Sequence, residues 1–364
     1  MENSKNRALD GIKGISAILI ACVYHLATIG FPYTGGGIFA DNVIFDWIYR
    51  NGYLFVELFL CISGYITFMV YSQKIDLKVM NFPQYVGRRI CRIFPLMIVT
   101  LLLSLVANLY FDYCYGTFFW PHGNDSVLTL GLGLFGIQTL FPIGQSWNYP
   151  AWSLSVFFLC WIIYFILIYH TKKSDNLRIY FCILLVFCGM TIYLNPTGYN
   201  IFLFNGDAAR GYMSFFMGGL LFYFEKKVTP PYRKIVAIIC FVWLLLIGIL
   251  SALNVELGNL PVLFSTLVFP PFLIIVLETP VVNRFFSIKV FTFLGKISFS
   301  IYLCNFMLEI LVYIVFDKVG ILGKVGQLQF MIFYLVVHII VGSIFYYIFE
   351  KVLPNRLRCI KVVI

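Results

Sequence analysis

The sequence predicts an all-α integral membrane protein, a polytopic bundle of about ten transmembrane helices with both termini in the cytoplasm. Three observations predict it. Of 364 residues, 61% are hydrophobic and only 12% charged, with a mean hydropathy of +0.91, whereas soluble domains carry about 25% charged residues. The apolar residues fall in runs of about 20, enough for a helix to cross about 30 Å of hydrocarbon. The connections between runs alternate between rich and poor in Lys and Arg, as the positive-inside bias requires.

The first dozen residues carry Lys5, Arg7 and Asp10 and lead into the apolar stretch 12–31. That stretch is too long for a signal-peptide core and lacks a small-residue cleavage site, so it reads as a retained first span. Runs at 52–72, 94–110, 150–170, 178–194, 211–225, 232–251, 261–278, 291–316 and 327–349 complete ten. The stretch 127–142 is also apolar, but its length and Gly131, Gly133 and Gly136 point to a re-entrant or interfacial segment. The chain, 1–364, therefore reads as one transmembrane domain, with no soluble domain following it.

With the N-terminus inside, 22 of the 26 Lys and Arg residues fall in cytoplasmic segments; only Arg50, Arg210, Lys318 and Lys324 fall outside. An odd number of spans would break this alternation. Topology thus accounts for the net charge of +10, and the expected partner is membrane lipid rather than nucleic acid. Most of the ten cysteines, such as Cys22, Cys61, Cys160 and Cys304, lie within apolar runs and read as buried thiols rather than bridges. The longest outer connection, 111–149, has no Lys or Arg and carries Trp120 and Trp147. Connections of this length are usually functional or disordered.

Ionisable groups inside spans are costly and normally face a cavity or a partner. His25 lies twelve residues beyond Lys13, about 18 Å deeper along a helix. Glu57 enters the second span from outside, Glu309 occupies the outer half of the ninth, and Arg210 sits at the outer end of the sixth, so the four can converge near one level. A histidine beside a carboxylate is a natural general base; the alternative for His25 is a hydrogen bond between helices. His338, alone on the apolar tenth span, is read in that second way. On the inner side Arg88, Arg89 and Arg92 precede Phe94 and Pro95, and Arg89 and Arg92 share a helical face. Arginine forks match phosphate oxygens, and anchoring to anionic lipid is the competing explanation. The segment Trp147, Asn148, Tyr149, Pro150, Ala151, Trp152, Ser153 suits either an interfacial aromatic belt or a carbohydrate. There is no P-loop, HExxH, CxxC or GxSxG, so nucleotide phosphoryl transfer, zinc hydrolysis and α/β-hydrolase chemistry have no support, and no metal site is expected.

These segments together resemble the acyltransferase-3 family of integral membrane proteins, over nearly the whole chain. Arg7 to Ile15 followed by Tyr24-His25 is similar to its first-helix motif, and Glu57 to Leu60 with Ser63-Gly64-Tyr65 to its second. Arg89 to Pro95 resembles the RxxR-x-x-P signature. Trp152 to Ser155, Arg210 with Phe215 to Gly218, Gly295 to Ser298 with Ile301 to Leu303, and Phe349 to Lys351 resemble later blocks in order. The resemblance implies transfer of an acyl group, usually acetyl, from cytoplasmic acyl-CoA to a carbohydrate hydroxyl outside, in a bacterial cell membrane. Acetyl-CoA would be a co-substrate, with no permanently bound cofactor. His25 would act as base or acyl relay and Glu57 would orient it. Lys13, Arg88, Arg89 and Arg92 would hold coenzyme A, and Trp147, Asn148, Trp152, Ser153, Arg210 and Glu309 would face the acceptor.

Three features depart from the family pattern. Lys13 and His25 have eleven residues between them rather than ten, which puts them about 120° apart on a regular helix instead of about 20°; a π-bulge would restore alignment. Phe157 stands where many relatives have glutamate, and Asn305 where a histidine is common. Two other classes of function compete: a transporter of a lipid-linked sugar or small solute, and a scaffold for a glycan-synthesis complex.

Overall fold

The computed structural model describes residues 2–28, 42–119, 126–141, 147–171, 173–195, 198, 200–253 and 255–354. Among them the chain is predominantly helical, without a named strand. Eight stretches are long and apolar enough to cross a membrane. They contain α2 and α3 (Val43–Asn51 and Phe55–Asp76), α4 (Phe82–Tyr115), α6 (Trp152–His170), α7 (Asp175–Leu194) and α9 (Pro230–Ala252), with α5 (Val127–Leu134) a short helix outside them. The remaining three contain α10 (Phe269–Glu278), α12 (Lys289–Val319) and α13 (Gln327–Phe345), α11 (Pro280–Phe286) being a short connector. The other two expected stretches, 12–31 and 211–225, fall on α1 (Glu2–Leu19) with the turns that follow it and on α8 (Gly206–Lys227); neither helix is among the eight, because charges, glycines and tyrosines dilute the apolar run.

The first helix does not stay regular. After α1 it passes through a π-helical segment, Ile20–Tyr24, and resumes as His25–Thr28. This is the irregularity that the extra residue between Lys13 and His25 calls for, because a widened turn absorbs one residue and rotates the helix beyond it. A second π segment, Phe264–Val268, precedes Pro270 and Pro271, which have no amide hydrogen to offer the preceding turn. The third span begins earlier than its apolar run: an Asn81–Gln84 capping box starts α4 at Phe82, so Arg88, Arg89 and Arg92 lie within the helix. α4 also ends later, at Gly116, whose φ of 71° closes the helix in the left-handed conformation. The outer connection is shorter than its sequence suggests. Within it α5 has only eight residues, about 12 Å, too short to span. Trp120 and the basic C-terminal residues Arg356, Arg358 and Lys361 lie outside the described residues.

Small residues set the helix crossings, as expected where lipid gives no hydrophobic drive for association. A Cβ on Gly64 of α3 would lie 1.9 Å from the carbonyl oxygen of Phe215, and one on Gly218 of α8 would lie 2.0 Å from that of Cys61. α3 and α8 therefore meet backbone to backbone. Gly295 of α12 approaches the Asp10 carbonyl of α1 in the same way, at 2.0 Å. α12 is the central post, packed on α1, α4 and α13, while α9 turns Ile238, Phe241, Val242 and Leu245 outward, as lipid contact requires. The described cysteines are free, six of the nine buried.

Candidate functional site

A cavity of about 1030 Å³ opens among α1, α3, α4, α6 and α12. Its rim, at the end that charge asymmetry assigns to the cytoplasm, carries exposed Arg88, Arg92 and Lys296 with partly buried Lys13. Lys13 pairs with Asp10 at 2.6 Å, and Glu350 accepts a hydrogen bond from Ser300 at 2.6 Å. The walls are apolar: Ile62, Ile66, Val70, Ile93, Phe157 and Phe299. At the far end the lining residues are Val56, Ser153 and Tyr302. Val56 and Ser153 adjoin Glu57 and Trp152 in the chain and Tyr302 lies one helical turn from Asn305, so the helices that line the cavity also carry a second, buried polar cluster.

Arg89 lines the same cavity but is held differently from Arg88 and Arg92. Its guanidinium lies 4.0 Å from the Trp161 ring centroid, 4.6 Å from Tyr85 and 4.9 Å from Tyr71, and Nη2 donates to Thr67 Oγ1 at 3.2 Å. A desolvated cation over aromatic faces gains about 2 kcal/mol or more. Arg89 thus joins α3, α4 and α6 as well as placing charge on the cavity wall.

The buried cluster consists of two pairs, and their partners differ from the expected ones. Glu57, fully buried, accepts from Arg210 Nε, and Arg210 Nη2 donates to the Tyr53 carbonyl at 3.2 Å. The same guanidinium stacks over Trp152 at 4.4 Å. The carboxylate beside His25 is instead Glu309, with Nδ1 to Oε1 at 3.6 Å. Glu57 is therefore engaged by Arg210, and Glu309 occupies the place expected of it. The expectation of one level holds nonetheless: Tyr24, next to His25, packs its ring 5.7 Å from that of Tyr53, which contacts Arg210. His25 also meets Tyr149 edge to face at 5.5 Å.

Behind Glu309 the polar chain continues. Asn305 Nδ2 donates to Glu309 Oε1 at 2.6 Å, Asn305 Oδ1 faces His338 Nε2 at 3.0 Å, and His338 Nδ1 donates to the Tyr334 carbonyl at 2.9 Å. The sequence suggests a hydrogen bond to a neighbouring helix for His338, which is where it lies, but gives no direct sign of its connection to the His25 group. The available signal is the occurrence of Asn305 and Glu309 one turn apart on one face. Oε2 of Glu57 and Oε2 of Glu309 are buried without a hydrogen-bond partner among the described residues, an arrangement that native interiors usually reserve for water or a ligand.

The expected acceptor-facing residues divide. Ser153 lines the cavity and donates to the Pro150 carbonyl at 3.1 Å, while Trp152 supports Arg210. Asn148 is fully buried and ties helices together, donating to Thr100 Oγ1 at 3.2 Å and to the Leu303 carbonyl at 3.3 Å. Trp147 Nε1 donates to the Ser126 carbonyl at 3.2 Å, pinning the N-cap of α5. Asn148 and Trp147 are thus held by the protein's own groups. Phe157 lies in the cavity wall against Trp161, so the place of the missing glutamate is apolar. Among the described residues no cluster of His, Cys, Asp and Glu could hold a metal ion.

Comparison with known proteins bears on what this arrangement does. The model of an acyltransferase domain, that of acyltransferase-3, matches residues 6–347. A protein of Acidianus two-tailed virus, provisionally named an acetyltransferase, is 24% identical over 329 residues, which cover 88% of each chain. No solved structure matches. Matched from its first helix through α13, with both buried pairs and all of the cavity lining but Glu350 inside the matched segment, the chain belongs to the acyltransferase-3 family and is a membrane acyltransferase.

Proposed function

We propose that this enzyme moves an acyl group, acetyl in our reading, from cytoplasmic acyl-CoA to a hydroxyl of an extracytoplasmic carbohydrate such as a bacterial capsule or cell-wall polysaccharide. One observation carries the reading: a cavity with a cationic rim and apolar walls runs among the same helices that carry the buried cluster containing His25. Arg88, Arg92, Lys13 and Lys296 would meet the phosphates of coenzyme A, where paired arginine contacts are strongest. The pantetheine arm would follow the apolar wall toward Ser153 and Tyr302. His25 would take the acceptor hydroxyl's proton as that oxygen attacks the thioester carbonyl; the carbon–sulfur bond breaks and the departing thiolate receives a proton. Glu309, 3.6 Å away, would stabilise the imidazolium formed in that step.

The test is incubation of host membranes with labelled acetyl-CoA, comparing the wild type with His25→Ala at equal membrane content. Label entering the surface glycan only with the wild type supports the proposal. Equal labelling by both proteins rules out His25 as the base, and movement of an unmodified sugar into vesicles lacking acyl-CoA would favour a transporter.

A further inference from the structure

We propose that His338 is a positioning residue for this transfer: acting through Asn305, it holds Glu309 Oε1 against His25 Nδ1. The inference rests on the reading of His25 as the base. All four groups are buried, His338 and Glu309 completely, and they come from three helical elements: the turn after the π segment, α12 and α13. Distances along the chain of groups are 3.6, 2.6 and 3.0 Å.

The donor and acceptor inventory gives the chain a direction. His338 Nδ1 faces a backbone carbonyl, which can only accept, so this nitrogen carries hydrogen. That contact, made within α13, fixes the plane of the imidazole ring. Nε2 then points at the Asn305 amide. Asn305 in turn presents its other amide atom to Glu309 Oε1, one turn along α12. If Nε2 also donates, Asn305 donates onward to the Glu309 carboxylate. With the amide reversed, Asn305 donates to Nε2 and accepts from a protonated Glu309. The two arrangements contain the same number of protons, and both keep Oε1 fixed. Tyr334, whose ring lies 4.2 Å from that of His338 at a tilt of 59°, closes the far side of the chain, and its hydroxyl reaches Asn305 Oδ1 at 3.5 Å.

A group so held is costly to leave half-satisfied, because a buried amide that loses one partner retains its desolvation penalty. Substituting His338 leaves Asn305 Oδ1 with only the long 3.5 Å contact from the Tyr334 hydroxyl, so the amide is held less firmly and the Glu309 rotamer with it. The cationic rim, formed by α1, α4 and α12 at the opposite end of the cavity, contains none of these groups. The expected signature is accordingly a fall in turnover without a change in donor binding.

The experiment uses the full-length protein in host membranes with labelled acetyl-CoA as the probe and the endogenous surface glycan as acceptor. His338→Leu is expected to lower turnover about 10–100-fold with KM for acetyl-CoA within about twofold of wild type. His338→Gln, whose amide can still donate to Asn305, is expected to recover turnover to within about fivefold. Turnover of His338→Leu close to wild type overturns the inference, as does His338→Gln falling as low as His338→Leu. If His338→Leu fails to reach the membrane, Asn305→Leu takes its place: low turnover beside an active His338→Gln supports the chain, and normal turnover refutes it. His25→Ala, run in parallel, separates the two ideas. An active His25→Ala removes the base reading itself; an inactive one beside a fully active His338→Leu removes only the positioning role.

Discussion

Removing Arg210 alone should be far more damaging than removing Arg210 and Glu57 together. Glu57 is fully buried and its Oε1 is taken by Arg210 Nε, so Arg210→Met strands a carboxylate in the bundle interior. Breaking a buried pair in this way costs about 3–5 kcal/mol, a large share of the roughly 5–15 kcal/mol by which folded proteins are stable. The double variant Glu57→Leu with Arg210→Met leaves neither member of the pair stranded, and only the less enclosed Asp207 loses its neighbouring cation. The main further losses are the 3.2 Å bond to the Tyr53 carbonyl and the stacking on Trp152, together about 2 kcal/mol. Glu57→Leu strands the guanidinium in the same way, so with each single variant at about 3–5 kcal/mol and the double at about 2, a double-mutant cycle should show a coupling of about 4 kcal/mol or more, above the usual range for contacting residues. The assay is unfolding of detergent-solubilised protein followed by tryptophan fluorescence, to which Trp152 contributes directly. Coupling below about 0.5 kcal/mol, or a double variant as unstable as the sum of the singles, would show that the pair is not the buried ion pair described.

The cationic residues should separate in function. Arg92→Ala, at the exposed rim, should raise KM for acetyl-CoA about 10-fold or more with turnover nearly unchanged, whereas Arg89→Ala should also lower the melting temperature, because the Trp161, Tyr85 and Tyr71 rings lose the cation between them. Equal effects of the two substitutions on KM, with no change in stability for either, would refute the distinction. Asn148→Ala should destabilise by about 1–3 kcal/mol by leaving Thr100 and the Leu303 carbonyl without their donor, and should leave the acceptor dependence of the surviving protein unchanged. A selective rise in the acceptor concentration needed for half-maximal labelling would return Asn148 to the acceptor site.

Much of the site's vertical arrangement is legible in the amino-acid sequence. The rise of 1.5 Å per residue places His25, Glu57, Arg210 and Glu309 at comparable depth from counting alone. The phase mismatch between Lys13 and His25 likewise calls for a π turn, and the helix has one at Ile20–Tyr24. Arg88, Arg89 and Arg92 do gather at one cavity, as their spacing suggests, but most of the aromatic enclosure of Arg89 has no local signature. Tyr85, one turn before Arg89 on the same helix, is the local part of that enclosure, but Tyr71 and Trp161 come from two other helices. The acidic partner of His25 escapes sequence reasoning for a related reason. Glu57 and Glu309 look equivalent when only depth is known.

Composition and periodicity by themselves determined that lipid is this protein's solvent, that its spans are helices and where its cationic residues cluster. These properties follow from how each segment interacts with water and hydrocarbon, one segment at a time. Tertiary structure alone decided which helices touch and at what rotation about their axes: α3 against α8 through Gly64 and Gly218, and α12 against α1 and α13. Those rotations give Glu57 to Arg210 and Glu309 to His25, and place His338 behind them. Rotation is set by close packing between segments distant in the chain, and the hydropathy of one span contains no trace of its neighbour's glycine.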